Sequence, residues 1–261
     1  TTPADPEPGA PKPGTPKPSD VATEVILHDD FSVAKPDVWE QLLGSWTHEN
    51  GKLVQSQTGA IRAALRLKQM PPPDFEATLK YIPTGGDMWK SVGISCDVTA
   101  DGNELLAYVS AVASGPRAQV AFKQNGNYVY PPVAAQSRKV ELNQPHEIVL
   151  RVRGTLVNVN VDGEHSIAFR LPNGVARKSG FLELVMYDAK AELVAFELKT
   201  LPSNVKLIEP PAPTGPPVAG AATPAMSVEQ SRLALAIAEK TLKTAEVQLV
   251  SIEARAAADR I

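Results

Sequence analysis

Five Asn-Gly or Asp-Gly dipeptides divide the middle of this chain into short segments: Asn50-Gly51, Asp101-Gly102, Asn125-Gly126, Asp162-Gly163 and Asn173-Gly174. Each supplies residues that tolerate the positive φ angles of a tight hairpin. Between them stand runs rich in β-branched and aromatic residues: FEATLKYI, SVGISCDV, ELLAYVSAV, AQVAFKQ, HEIVLRVRG, LVNVNVDG, FLELVMYD and AELVAFELKTL. In LVNVNVDG, Val157, Val159 and Val161 alternate with Asn158, Asn160 and Asp162 before the chain turns back into Ile167 and Phe169. This is the period-two grammar of half-buried strands joined by a hairpin. Its valines are expected to face a core and its asparagines water. Strands at this spacing, with no sustained helical period before Ser227, predict an all-β antiparallel sandwich. Only KPDVWEQLLG suggests a short helix or turn, before Trp46.

Proline marks the limits of this body. Pro3, Pro6, Pro8, Pro11, Pro13, Pro16 and Pro18 crowd the first twenty residues, and a second group runs from Pro202 to Pro224. Such segments bury too little apolar surface to offset the entropy of ordering, so they read as extended linkers. The expected organisation is a linker at 1–23, a β-sandwich at 24–208, a linker at 209–226 and a helix at 227–261. In that last segment Val228, Leu235, Leu242, Leu249 and Ala256 repeat every seven residues, with Ala238, Ala245 and Ile252 at the intervening core positions. That is the stripe of a coiled-coil helix, and Ser227 with Gln230 resembles a capping box.

Charge and motif content narrow the chemistry. The net charge is -3, and the 26 basic residues are scattered, so no nucleic-acid surface is expected. No run of 18 apolar residues indicates a membrane span, and no export leader precedes the Pro-rich opening, which suggests a piece of a longer chain. Cys96 lies in the apolar alternation Val92, Ile94, Cys96, Val98 and is expected in the core. His28, His48, His146 and His165 are far apart, lack metal-ligand spacing, and read as surface or turn residues. A sandwich glucanase would set three carboxylates at alternate positions of one strand. No E-x-D-x-E occurs. Glu183, Asp188 and Glu192 have the wrong spacing and read as solvated strand-end charges. Asp97, Asp101 and Glu104 read as part of a hairpin turn, and GGDMWKS lacks the frame of a phosphate loop.

The order DDFS, W, GSW, NGKL, DFEATLKY, GGDMWKSVGI, NYVY, HEIVLRVRGTLVNVNVDGE, RKSGFLEL and AFELKTL resembles the concanavalin A-like jelly rolls of the laminin-G and glycan-module type. These include the family related to keto-disaccharide hydrolases. The likeness spans roughly Val25 to Leu201. The terminal helix is similar to Ala-Glu-Arg helices of large multidomain planctomycete cytochrome c proteins, in which a sandwich module lies between Pro-rich linkers. The resemblance implies an extracytoplasmic module, periplasmic or on the cell surface, with haem only elsewhere in the parent chain. Sandwiches resembling this one sometimes carry a structural calcium, for which Asp29, Asp30 and Asp188 are the candidate ligands; the competing role of Asp29 and Asp30 is an Asx turn before Phe31.

In such a module sugars bind through aromatic faces flanked by hydrogen-bonding side chains. If Ile94, Val120 and Phe122 face the core, alternation sends Ser95, Asp97, Gln119 and Lys123 to the other side. Tyr108 and Ser110 follow if Leu105, Ala107 and Val109 point inward. Trp89 is the first aromatic candidate, with Asp87, Tyr108, Arg117, Lys123, Tyr128 and Tyr130 to complete a site; Trp39 and Trp46 are assigned to the core or its lid. The leading expectation is a non-catalytic carbohydrate-binding module acting on a polysaccharide or oligosaccharide. A second is a docking domain packing on other domains of its parent, and a third a glycoside-cleaving enzyme with an unfamiliar carboxylate pair.

Overall fold

The computed structural model describes residues 23–124 and 126–211. Their strands are β1 (Val25–Asp29), β2 (Trp39–Leu43), β3 (Trp46–Glu49), β4 (Lys52–Gln55), β5 (Arg62–Leu67), β6 (Phe75–Gly85), β7 (Ser91–Val98) and β8 (Leu105–Ser110). They continue with β9 (Arg117–Gln124), β10 (Asn127–Val129), β11 (Ala135–Ser137), β12 (His146–Arg153), β13 (Leu156–Val161), β14 (Glu164–Arg170), β15 (Phe181–Tyr187) and β16 (Lys190–Thr200). All pairings are antiparallel. The first sheet runs β14-β13-β12-β6-β16-β4-β3, with β1 also on β16; the second runs β10-β9-β8-β7-β15-β5-β2, with β11 also on β9. The expected sandwich is present. The expected helix at 227–261 lies outside the described residues, as do most of both linkers.

Period-two alternation builds the core. Leu79, Ile148, Val159, Phe169 and Phe196 of the first sheet face Leu65, Ile94, Val120, Phe122 and Leu184 of the second, all nearly inaccessible. Phe122 and Phe169 stack across the gap at 6.3 Å. Cys96 is fully buried among them, and burial pushes its thiol pKa well up. Asn50-Gly51 and Asp162-Gly163 adopt consecutive positive φ angles and close the β3–β4 and β13–β14 hairpins.

The structure bears out some local expectations and corrects others. WEQLL in KPDVWEQLLG is strand β2, preceded by a turn in which Lys35 O accepts from the amides of Val38 and Trp39. Pairing with β5 supplies the hydrogen bonds that a helix would have made internally. Trp39 is in the core, its Nε1 donating to Asp29 Oδ2 at 2.7 Å, while Trp46 is half-buried against the core edge and donates to Leu43 O. His146 is buried, bridging Asp162 and the backbone of Glu141. Asn158 is also buried: its amide N donates to Ile208 O at 2.8 Å and its Oδ1 accepts Ile208 N at 2.7 Å. Arg153 binds the carbonyls of Pro202 and Val205, and Arg170 pairs with Glu209. The segment after β16 is thereby strapped across the outer face of the first sheet. A side-chain amide imitates a strand partner there, which alternation alone does not reveal.

Candidate functional site

The outer face of the second sheet carries a connected polar cluster. Register aligns it in rows: Arg66, Glu183, Ser95 and Leu106; then Ala64, Val185, Gly93, Tyr108 and Gln119; then Arg62, Tyr187, Ser91, Ser110 and Arg117. A Cβ at Gly93 would lie 2.5 Å from Ala107 O and 2.7 Å from Tyr108 Cβ, so glycine lets Tyr108 lie close to the sheet.

The floor of this face is an ion-pair network. Glu183, 1% exposed, accepts Arg62 Nη1 at 2.7 Å, Arg66 Nε at 2.9 Å and Arg66 Nη2 at 2.7 Å. Glu104 accepts Arg62 Nη2 at 2.8 Å, Lys123 Nζ at 2.9 Å, Tyr128 OH at 2.7 Å, and the Ser95 hydroxyl. Burial alone would raise the Glu104 carboxyl. The Arg62 charge and the Ser95, Tyr128 and Lys123 hydrogen bonds outweigh it and hold the pKa at about 2. Glu183 is therefore no solvated strand end, and Glu104 is no mere turn residue. Arg62 joins two glutamates 79 positions apart in sequence, a juxtaposition that only the topology creates. The strand that supplies it, β5, was not among the expected strands because RAALRL is poor in β-branched residues. Its alternation of Ala63, Leu65 and Leu67 with Arg62, Ala64 and Arg66 was the available signal.

Tyrosines rise from this floor. Tyr128 and Tyr130 meet at 5.6 Å between ring centroids, and Lys123 Nζ lies 4.8 Å over the Tyr128 ring. Tyr108 donates to Gln119 Oε1 at 2.9 Å. Tyr130, 50% exposed, is close enough to Tyr108, Glu104 and Tyr187 to feel each electrostatically. Burial pushes the phenols of Tyr108, Tyr128, Tyr130 and Tyr187 above their ordinary pKa, so all hold their protons at neutral pH.

Five of the seven sugar-binding candidates thus share one face: Tyr108, Arg117, Lys123, Tyr128 and Tyr130. Trp89 and Asp87 belong to the loop at its rim. Trp89 O accepts the Ser110 hydroxyl at 2.5 Å, and Ser110 is in register with Arg117. The half-buried Trp89 makes no aromatic pair among the described residues, and Asp87 is exposed. Asp97 leaves the platform: its positive φ at a β-bulge turns it toward Arg177, which binds it through two nitrogens.

The expected calcium ligands do not converge, and among the described residues no three His, Cys, Asp or Glu side chains form a metal-binding group. The competing Asx turn is present instead: Asp29 accepts Phe31 N, and also Lys35 Nζ and Trp39 Nε1, and Asp30 accepts Ser32 N. Asp188 receives the amides of Gly59, Asp87, Met88 and Trp89, which anchor the rim loop and hold its carboxyl below the usual range against the upward effect of burial. Gly86 is required beside it, since at φ +142° a Cβ would stand 2.1 Å from Asp188 O. Glu192 lies on the first sheet, paired with Lys52 at 2.5 Å.

No family model and no curated protein matches the sequence. Solved structures do match the fold. The carbohydrate-binding module CBM66 from Bacillus subtilis is 17% identical with a TM-score of 0.51, over 59% of this chain and 91% of that one. SCLam, a non-specific endo-β-1,3(4)-glucanase of family GH16, is 13% identical with a TM-score of 0.52, over 70% and 92%. A Bacillus subtilis protein of unknown function with a galectin-like fold is 10% identical with a TM-score of 0.52, over 67% and 96%. The body is a concanavalin A-like jelly-roll sandwich. Carbohydrate-binding modules and glycoside hydrolases share that fold, so the likeness alone does not choose between binding and catalysis.

Proposed function

We propose that this chain is a non-catalytic glycan-binding module whose ligand lies on the outer face of the second sheet. The observation that carries the reading is the tyrosine platform itself: Tyr108, Tyr128, Tyr130 and Tyr187 gathered over an internally bonded polar floor. Phenol rings offer apolar faces to a pyranose, and a floor fixed by ion pairs keeps them oriented without an ordering cost on binding. Binding is favoured over hydrolysis by the state of the glutamates. A glycosidase needs one carboxyl with a raised pKa as acid and another free as base or nucleophile. Glu104 is held at about 2, and both glutamates are engaged by Arg62.

The described chain ends leave this face open. Glu24 and Thr200 bond to each other beside β1 and β16, and the exit strap crosses the first sheet. Together with the Pro-rich segments, this suits a module tethered within a larger extracytoplasmic protein, where attachment raises the local concentration of a weak binder at its polysaccharide.

The test is calorimetric titration with a panel of neutral and acidic oligosaccharides, comparing the natural chain with Tyr130→Ala. The expected result is saturable micromolar-to-millimolar binding, weakened about three- to tenfold by Tyr130→Ala, the loss corresponding to ~0.5–1.5 kcal/mol for one aromatic contact. Binding unaffected by Tyr130→Ala and Tyr108→Ala would move the site elsewhere; silence across the panel would favour a docking domain.

A further inference from the structure

With its internal bonds made, the platform's carboxylates are occupied and the groups left without partners among the described residues at its Arg117 corner are nitrogen donors. The carboxylates of Glu104 and Glu183 are filled by Arg62, Arg66, Lys123, Ser95 and Tyr128. Gln119 takes the Tyr108 proton on Oε1, which leaves its Nε2 without a partner among the described residues. Arg117 donates Nε to Gly115 O at 3.2 Å, and its two terminal nitrogens bond nothing among the described residues. Arg62, Arg66 and Lys123 on the same face all have carboxylate partners; among the described residues Arg117 has none. The remaining carboxylates are peripheral or filled. Glu40 is in register with Arg66 on edge strand β2, five strands from Arg117; exposed Asp87 is in the rim loop with Lys90 Nζ on its carbonyl; and Asp188 at the rim is filled by the amides of Gly59, Asp87, Met88 and Trp89.

A neutral sugar hydroxyl is satisfied by a donor and an acceptor together, whereas a carboxylate or sulfate needs donors alone. Arg117 and Gln119 are two residues apart on β9 and point to the same side, so their side chains stand about 7 Å apart, roughly the width of one sugar ring. We infer that the sugar bound at Arg117 is anionic, its uronate carboxylate or sulfate ester held by the Arg117 guanidinium while the Gln119 amide donates to an oxygen across the ring, beside Tyr108. This inference rests on the glycan-binding reading above and specifies its ligand class. The planar fork of arginine matches two oxygens of either group.

The test uses the 261-residue chain and four probes: oligogalacturonate, its methyl ester, dextran sulfate and dextran. At least one charged probe should bind about tenfold or more tightly than its uncharged counterpart, and less tightly as salt rises. Arg117→Gln should abolish that preference, as expected for a charge-assisted bond. Arg117→Lys should restore part of it, with the thermal midpoint unchanged in both variants. Preference for oligogalacturonate identifies a carboxylate, and preference for dextran sulfate a sulfate. Equal binding of charged and uncharged probes, or a preference that survives Arg117→Gln, overturns the anionic assignment while leaving the glycan reading intact. Failure of all four overturns the anionic assignment, and the wider neutral panel then decides the glycan reading.

Discussion

Removing the Glu183 carboxylate tests whether the ion-pair floor holds the second sheet's outer face in place. Glu183 is 1% exposed and accepts three bonds from two guanidiniums, whose side chains retain 29% and 26% exposure. In Glu183→Ala, Arg62 keeps Glu104, but Arg66 loses its carboxylate and is left 4.7 Å above the Phe181 ring. Breaking a fully buried pair costs about 3–5 kcal/mol. Because water reaches both arginines, part of that is recovered, and a loss of about 2–3 kcal/mol is expected. Urea unfolding followed by tryptophan fluorescence gives the change directly, and the thermal midpoint should fall by about 4–12 °C. Adding Arg66→Ala should cost less than the sum of the single changes, because the first substitution has already removed the partner. A loss below about 1 kcal/mol, or strict additivity, would refute the claim that this network orders the platform.

Two further outcomes follow from neighbouring groups. The Glu104 carboxyl is lowered from 4.5 to about 2 on folding, so its contribution is complete above pH ~4.5 and disappears as pH falls through ~2. Over that interval the natural chain should lose about 3 kcal/mol more than Glu104→Gln; parallel acid profiles would contradict the network's electrostatics. Asn158→Ala removes both bonds to Ile208, each contributing about 0.5–1.5 kcal/mol. Exchange of the Ile208 amide should accelerate about tenfold or more while the β12 and β13 amides stay protected, and unchanged exchange would mean that the strap is held by something else.

What could be read from sequence divides along physical lines. Alternation and hairpin dipeptides report side-chain direction within one strand, so the β7, β8, β9, β12 and β13 segments were legible. Tyr108, Gln119 and Lys123 were likewise placed on the correct face. Pairing across the sheet is not a local property. Arg62 with Glu104 and Glu183, or Asn158 with Ile208, depends on which distant strands become neighbours. The same limit applies to His146, which is met by Asp162 from the turn that follows β13. Asp188 carried a real signal, an acid at a turn, but its partners are backbone amides of the rim loop rather than a cation.

The central claim, that the outer face of the second sheet is the ligand surface, is tested most directly by amide chemical-shift mapping during titration with whichever oligosaccharide binds best. The account predicts shifts clustered on Tyr108, Arg117, Gln119, Tyr130 and the Trp89 loop, with the first sheet silent. Shifts confined to the first sheet and its exit strap, or no shifts with any glycan, would contradict it.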